Sequence, residues 1–128
     1  MRTAIIGLFG VYALSISASA TYMIPDDQLD AQKVFWGNPG KFEKAASVNV
    51  NKVIRATPEY EEIKKEKVER GTGKYWILLS EATDRAVKAI SEVAGETEFD
   101  FIAAEGYLES LEPKIPNENI TDLVLAKI

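Results

Sequence analysis

The sequence predicts an α+β domain: a small β-sheet of about three strands, a helical hairpin inserted after the first strand, and a short C-terminal helix. Three observations support this fold class. One strongly amphipathic segment covers residues 74–94, valine alternates with asparagine over residues 47–51, and large apolar residues recur over residues 99–103. The first pattern has the 3.6-residue period of a helix, and the other two suit strands with a buried face.

Residues 74–94 form the longest stretch with a single hydrophobic period, close to 100° per residue. The predicted apolar half comprises Tyr75, Trp76, Leu78, Leu79, Ala82, Ala86, Val87, Ala89, Ile90 and Val93. Its central residues are small, so a sheet or a second helix can approach the helix axis closely there. Ile77 lies on the polar half, either as an ordinary surface isoleucine or as part of a contact patch.

A second helix is predicted directly before this one. Thr57 suits the N-cap, Pro58 the first helical position and Glu59 the positive end of the helix dipole. The helix is mostly charged and rests on a thin apolar strip. Because glycines 71 and 73 then interrupt the pattern, residues 57–94 are predicted to be a helical hairpin, with one kinked continuous helix as the alternative.

The C-terminal third predicts a β-hairpin and a last helix. A strand over residues 99–103 is followed by a turn at Glu105-Gly106, and Tyr107, Leu108 and Leu111 are expected to return as a second strand. The last helix is predicted over residues 120–128, capped by Asn119. Its expected buried stripe is Ile120, Leu123, Val124 and Ile128.

Residues 1–20 have the features of a secretory signal peptide. Arg2 precedes a run of apolar and small residues that ends in Ala18-Ser19-Ala20, a pattern that signal peptidase cuts. The run is short and rich in serine and glycine for a membrane span; a retained N-terminal anchor is the alternative. We therefore expect export to the periplasm or the extracellular space, with cleavage after Ala20 and no stable membrane insertion afterwards.

Residues 21–46 are predicted to be an N-terminal arm, because short apolar pieces alternate there with turn-forming residues. Val34, Phe35 and Trp36 bring too many large apolar groups together for a free tail. We expect this arm to lie on the domain, residues 47–128, or on a neighbouring subunit.

Composition excludes several classes of function. The formal charge is −5 for the chain and becomes −6 once the signal peptide, with Arg2 as its one charged residue, is removed. Such a chain does not attract nucleic acid by bulk electrostatics. Histidine and cysteine are both absent, which excludes disulfides, structural zinc, blue copper and the Ser-His-Asp and Cys-His triads.

No cofactor, metal site or enzymatic activity is predicted. Carboxylates could act as general acid and base, and Glu105, Glu109 and Glu112 are the candidates. With twenty acidic residues in the chain, however, such neighbours arise by chance, and a solvated surface is the better interpretation.

Two stretches of the chain, residues 47–69 and 82–128, resemble the Skp/OmpH-like family of periplasmic chaperones. The family's first strand looks like residues 48–54, followed by Thr57-Pro58-Glu59-Tyr60. Its return helix and second strand are similar to residues 89–94 and 99–102, and its ending is similar to residues 119–125. The resemblance implies a periplasmic homo-oligomer, a trimer joined through its strands, that holds unfolded outer-membrane proteins.

Three features depart from the family pattern. Long coiled-coil arms are typical of the family, whereas the predicted helices here reach only about 20 Å and 30 Å at 1.5 Å per residue. The best-known members are basic and this chain is acidic, and residues 21–46 precede the point where the family begins its strand. The expectation is that fold and compartment carry over while the client-holding cavity does not.

Two groups of residues are predicted to bind partner proteins. Tyr75, Trp76 and Ile77 follow the predicted tip of the helical hairpin, and residues 34–36 carry the apolar part of the arm. As a hypothesis, both form an apolar contact surface for unfolded or envelope proteins. The alternative for Trp76 and Tyr75 is that they fill the core under the hairpin. The alternative function is a structural or oligomerising envelope subunit without client-holding activity.

Overall fold

A computed structural model describes residues 20–128, and residues 1–19 of the predicted signal peptide lie outside them. The described chain has an α+β fold. The strands are β1 (Val34–Gly37), β2 (Ala45–Val48), β3 (Phe101–Ala104) and β4 (Asn117–Asn119). The α-helices are α1 (Val50–Arg55), α2 (Pro58–Lys65), α3 (Gly73–Glu96) and α4 (Thr121–Leu125).

The sheet has four strands in the order β1-β3-β2-β4, one more than the sequence predicts. Both β3 and β4 run parallel to β2, while β1 runs antiparallel to β3. The first predicted strand, residues 47–51, is shifted, because β2 ends at Val48 and α1 begins at Val50. Asn49 stops the strand by capping α1, where its side chain accepts a hydrogen bond from the backbone nitrogen of Lys52 at 3.1 Å.

The predicted β-hairpin after residue 104 is wrong. Leu108–Ser110 form a single 3₁₀ turn, and the strand that follows is β4, which pairs with β2 and not with β3. Tyr107, Leu108 and Leu111 are buried, because they cover one face of the sheet instead of extending its edge. β4 has no apolar alternation at all, which is why the sequence gives no signal for it.

The core lies on both faces of the sheet, since side chains of successive strand residues point to opposite faces. On one face the helices α1, α3 and α4 cover Ala46, Val48 and Ile102. On the other face, residues 22–42 and the segment after β3 cover Ala45, Phe101 and Ala103. A small third cluster, Ile63, Tyr75 and Leu78, joins α2 to α3.

Helices α2 and α3 are separate, which confirms the predicted hairpin over the kinked helix. The Thr57 hydroxyl accepts a hydrogen bond from the backbone nitrogen of Tyr60, and the Thr72 hydroxyl accepts one from that of Tyr75, both at 3.2 Å. Each threonine therefore begins its own helix. Gly71 turns the chain between them with a φ of 86°, a conformation that glycine adopts without strain.

Helix α3 buries most, but not all, of its predicted apolar half. Ala82, Ala86 and Ile90 are fully buried, as the prediction requires. Trp76 and Val87 are 57% and 44% exposed, because the sheet and α2 cover a narrower arc than half of the helix. In α4 the same correction applies to Leu123, which is 48% exposed.

Residues 21–46 lie on the domain and contribute to its core. Strand β1 pairs with β3, and both Ile24 and Phe42 are buried. The Tyr107 hydroxyl donates a hydrogen bond to the backbone oxygen of Gln28 at 2.7 Å and accepts one from the backbone nitrogen of Asp30 at 2.8 Å. This segment is therefore fixed to the second sheet face along its length.

A bidentate ion pair between Glu59 and Arg85 makes the stability of the helical hairpin dependent on pH. The two nitrogen–oxygen distances are 2.9 Å and 2.7 Å, and the hydrogen bonds from Arg85 hold the pKa of the Glu59 carboxyl below its ordinary value. A lowered carboxyl pKa stabilises the folded state at neutral pH, and this contribution is lost as the pH falls through that pKa. Glu59→Gln should therefore lower Tm at pH 7, and this deficit should shrink as the pH falls through the lowered pKa of Glu59. A Tm deficit that stays constant as the pH falls would contradict this origin. Glu92→Gln, which removes an exposed carboxylate of α3 that is outside the ion pairs of residues 20–128, serves as the control.

Candidate partner-binding surface

The first turn of α3 places two of the three predicted hairpin residues on the surface. Tyr75 points into the cluster between α2 and α3 and is 9% exposed. Successive residues of an α-helix are rotated by about 100° about its axis, so Trp76 and Ile77 point away from the core. Their side chains are 57% and 61% exposed. The Trp76 ring meets the Tyr75 ring edge to face, with 5.3 Å between centroids. Tyr75 thus fills the core, while Trp76 and Ile77 form an exposed apolar pair.

The three predicted arm residues lie in β1, at the edge of the sheet. Val34 packs with the cluster on the second face and Phe35 with the cluster on the helical face. Trp36 is 40% exposed. The two predicted groups therefore belong to different parts of the fold. Residues 75–77 lie in the first turn of α3, and residues 34–36 lie in an outer strand of the sheet.

A groove beside Trp76, which we call the helix-junction groove, was not predicted. It lies where α1 meets α2 and α3, encloses about 290 Å³, and is lined by Ile54, Arg55, Tyr60, Arg70, Tyr75 and Leu79 among others. Trp76 precedes Leu79 by three residues and therefore stands next to it on the helix surface. No short sequence pattern indicates the groove, because its lining comes from three elements and one loop.

Within the described residues, the ion pairs across the helical hairpin do not include the two arginines at this groove. From α3, Lys74 pairs with Glu62 and Glu66, and Arg85 pairs with Glu59. The hydrogen bond and charge of Glu66 raise the pKa of Lys74. Within residues 20–128, the ion pairs involve Lys44, Lys64, Lys74, Arg85 and Lys127, and neither Arg55 nor Arg70 is among them.

A second, polar cavity of about 320 Å³ lies beyond the carboxyl ends of β2, β3 and β4. There the Glu105 carboxylate accepts hydrogen bonds from Asn119 at 2.6 Å and Asn49 at 3.4 Å. The Thr121 hydroxyl accepts one from the backbone nitrogen of Asn49 at 3.0 Å. These hydrogen bonds pair the polar groups of the cavity with one another and connect the start of α4 to the ends of the strands. The network therefore has a structural role.

Each of the three candidate acid-base residues forms hydrogen bonds with a different residue. Glu105 bonds to Asn119, and Glu109 bonds to Asn117 at 3.2 Å. Glu112 contacts Gln28 through its backbone, on the second face of the sheet. In the part of the chain that the structure describes, no three Asp, Glu, His or Cys residues gather as a metal ion would require.

Over residues 20–128, no helix combines the length and the apolar character needed to cross a bilayer.

Comparison with family models, with curated proteins and with solved structures gives no match to this chain. The resemblance to the Skp/OmpH-like family therefore stays a prediction that depends on the quoted motifs.

Proposed function

We propose that the chain is an exported, non-catalytic protein-binding module that is chaperone-like for unfolded outer-membrane or envelope proteins. The observation that carries this proposal is the exposed pair Trp76 and Ile77. Two adjacent large apolar side chains more than half exposed, at the end of a helical hairpin, are what a non-specific apolar contact with an unfolded chain needs.

The resemblance supplies the compartment and the class of client. In the Skp/OmpH-like pattern, two helices project from a small sheet and hold the client between subunits. The helices here are shorter: α2 has 8 residues and α3 has 24, which correspond to about 12 Å and 36 Å of helix. A surface contact at the hairpin suits these dimensions better than an enclosed cavity does.

The experiment is suppression of aggregation. A denatured outer-membrane protein is diluted into buffer with a stoichiometric amount of the purified chain, and light scattering is followed. We expect the wild-type chain to suppress scattering and Trp76→Ala/Ile77→Ala to require about ten times more protein for the same effect, since central apolar contacts are typically worth more than about 1 kcal/mol each.

Leu123→Ala is the matched control, because Leu123 is a similarly exposed apolar residue on a different helix. Tm should change little in either variant, as expected for exposed positions. If Trp76→Ala instead lowered Tm strongly and left suppression unchanged, the tryptophan would be a core residue and the contact hypothesis would fail.

The alternative is a structural or oligomerising envelope subunit without client-holding activity. The specific observation in its favour is that β1 and β4 are the outer strands of the sheet, and outer strands offer backbone groups for pairing with another copy. Absence of aggregation suppression, together with a stable trimer or other oligomer in sedimentation, would favour this alternative over the chaperone-like function.

A further inference from the structure

We infer that the helix-junction groove binds an acidic segment of a partner polypeptide that carries a large apolar side chain next to its carboxylates. This inference rests on the proposed function, which makes the chain a protein-binding module, and it adds the location and the chemistry of a specific site.

The lining of the groove is mixed: apolar and aromatic side chains alternate with polar ones, and two of the lining residues are arginines. Ile54, Tyr60 and Leu79 are partly buried and pack against two different core clusters. Between them the groove encloses about 290 Å³, near the lower end of the range of about 300–1,000 Å³ for small-molecule pockets. This volume suits one or two side chains of a polypeptide that crosses the helix junction.

The two arginines at the groove favour a negatively charged ligand. Arg55, from the last turn of α1, and Arg70, from the loop after α2, both line the groove. Neither is in an ion pair within residues 20–128, whereas Glu59 and Glu62 of α2, and Glu66 directly after it, are already paired with Arg85 and Lys74. A guanidinium presents its donors in a planar fork that matches a carboxylate, so two such groups beside the apolar side chains Ile54 and Leu79 favour acidic and apolar residues in one ligand.

The occupant is a partner protein and not a second copy of this chain. Without the signal peptide each copy has a formal charge of −6, so two copies repel one another at long range. A local pair of arginines in an acidic protein confers specificity, because a partner gains attraction only where its carboxylates meet this groove.

The test uses three fluorescein-labelled ten-residue peptides and the purified chain, with binding followed by fluorescence anisotropy. The first peptide alternates glutamate with leucine and phenylalanine, the second has lysine in place of every glutamate, and the third has serine in place of every leucine and phenylalanine. We expect the first peptide to bind at least about 10-fold more tightly than either of the others, since close charge pairs and buried apolar anchors each contribute this much.

The variants test the location. Arg55→Gln/Arg70→Gln should weaken binding of the first peptide about 10-fold, and Arg55→Glu/Arg70→Glu should reverse the preference toward the lysine peptide. Lys88→Gln/Lys114→Gln removes the same charge from exposed positions outside the groove and should leave binding unchanged. All these side chains are exposed, so a circular-dichroism melt checks that each variant folds.

Each outcome decides the inference. Equal binding of the acidic and lysine peptides, or equal losses in the groove and control variants, would overturn it. A concentration-dependent dimer that disappears in Arg55→Glu/Arg70→Glu would also overturn it, because the occupant would then be a second copy. If the acidic peptide does not bind the groove but the chain and these variants still suppress aggregation, the inference about the groove is wrong and the proposed function is retained. If the wild-type chain does not suppress aggregation, the proposed function itself is wrong.

Discussion

Replacement of Phe42 with alanine is expected to lower the free energy of unfolding by about 4 kcal/mol, the usual cost of removing a buried phenylalanine. Phe42 is 1% exposed and stacks on Phe101, with ring centroids 4.1 Å apart and an interplanar angle of 13°. The substitution removes one side of the core on the second sheet face, which residues 22–42 and the segment after β3 cover. Urea denaturation followed by tryptophan fluorescence measures the change, which should appear as a lower midpoint with an unchanged slope.

The coupling between the two rings separates their direct contact from the general loss of burial. In a double-mutant cycle with Phe101→Ala, the interaction energy should be about 1 kcal/mol, as for stacked aromatic pairs. Tyr22→Ala is the control, since its ring is tilted and 6.0 Å from that of Phe42. A loss below about 1 kcal/mol for Phe42→Ala would mean that residues 21–46 are an accessory arm and not part of the core.

Helices α2 and α3 are predictable because their signals are local, whereas α1 is not predicted. The N-cap and first-turn residues at Thr57 and Pro58 fix the start of α2, and the 3.6-residue period fixes α3 to within two residues at either end. A helix forms its hydrogen bonds within one segment, so a window of ten to twenty residues contains most of the evidence.

The sheet is less predictable because its pairing joins residues that are distant in sequence. Ala45 lies beside both Phe101 and Asn117, and nothing near Ala45 indicates either neighbour. The alternation of Val48 and Val50 predicts one strand, but Asn49 between them caps the helix α1. Short polar strands such as β4 and edge strands such as β1 carry weak patterns, since they bury little of their surface.

The candidate site likewise has one part that the sequence predicts and one part that it does not. Trp76 and Ile77 could be singled out from the sequence because they follow a predicted turn, although the exposure of Trp76 depends on how narrow the contact of α3 is. The helix-junction groove could not be found, because Arg55 and Arg70 are fifteen positions apart and only the packing of three helices places both at one groove. Isolated arginines in a charged sequence are ordinarily solvated.

Replacement of Ile90 with alanine should destabilise the domain by about 3 kcal/mol, within the usual range for truncating a fully buried isoleucine. Ile90 is 0% exposed in the cluster that joins α3 to the sheet, together with Ala86 and Val48. These small neighbours already let the helix lie close to the strands, so the backbone cannot move nearer to fill the space that the lost side chain leaves.

Val87→Ala provides the matched control for this truncation. Val87 lies three residues before Ile90 on the same helix but is 44% exposed, so its truncation should cost about 0.5 kcal/mol or less. Ile90→Val should fall between the two, near 1 kcal/mol, because it removes one methyl group without emptying the site.

Chemical denaturation of the three variants gives the comparison. Because intrinsic helix propensity favours alanine over valine and isoleucine, a loss confined to Ile90 must come from its packing on the sheet. Equal effects of Ile90→Ala and Val87→Ala would show instead that α3 does not rest on the strands, and the proposed architecture would be wrong.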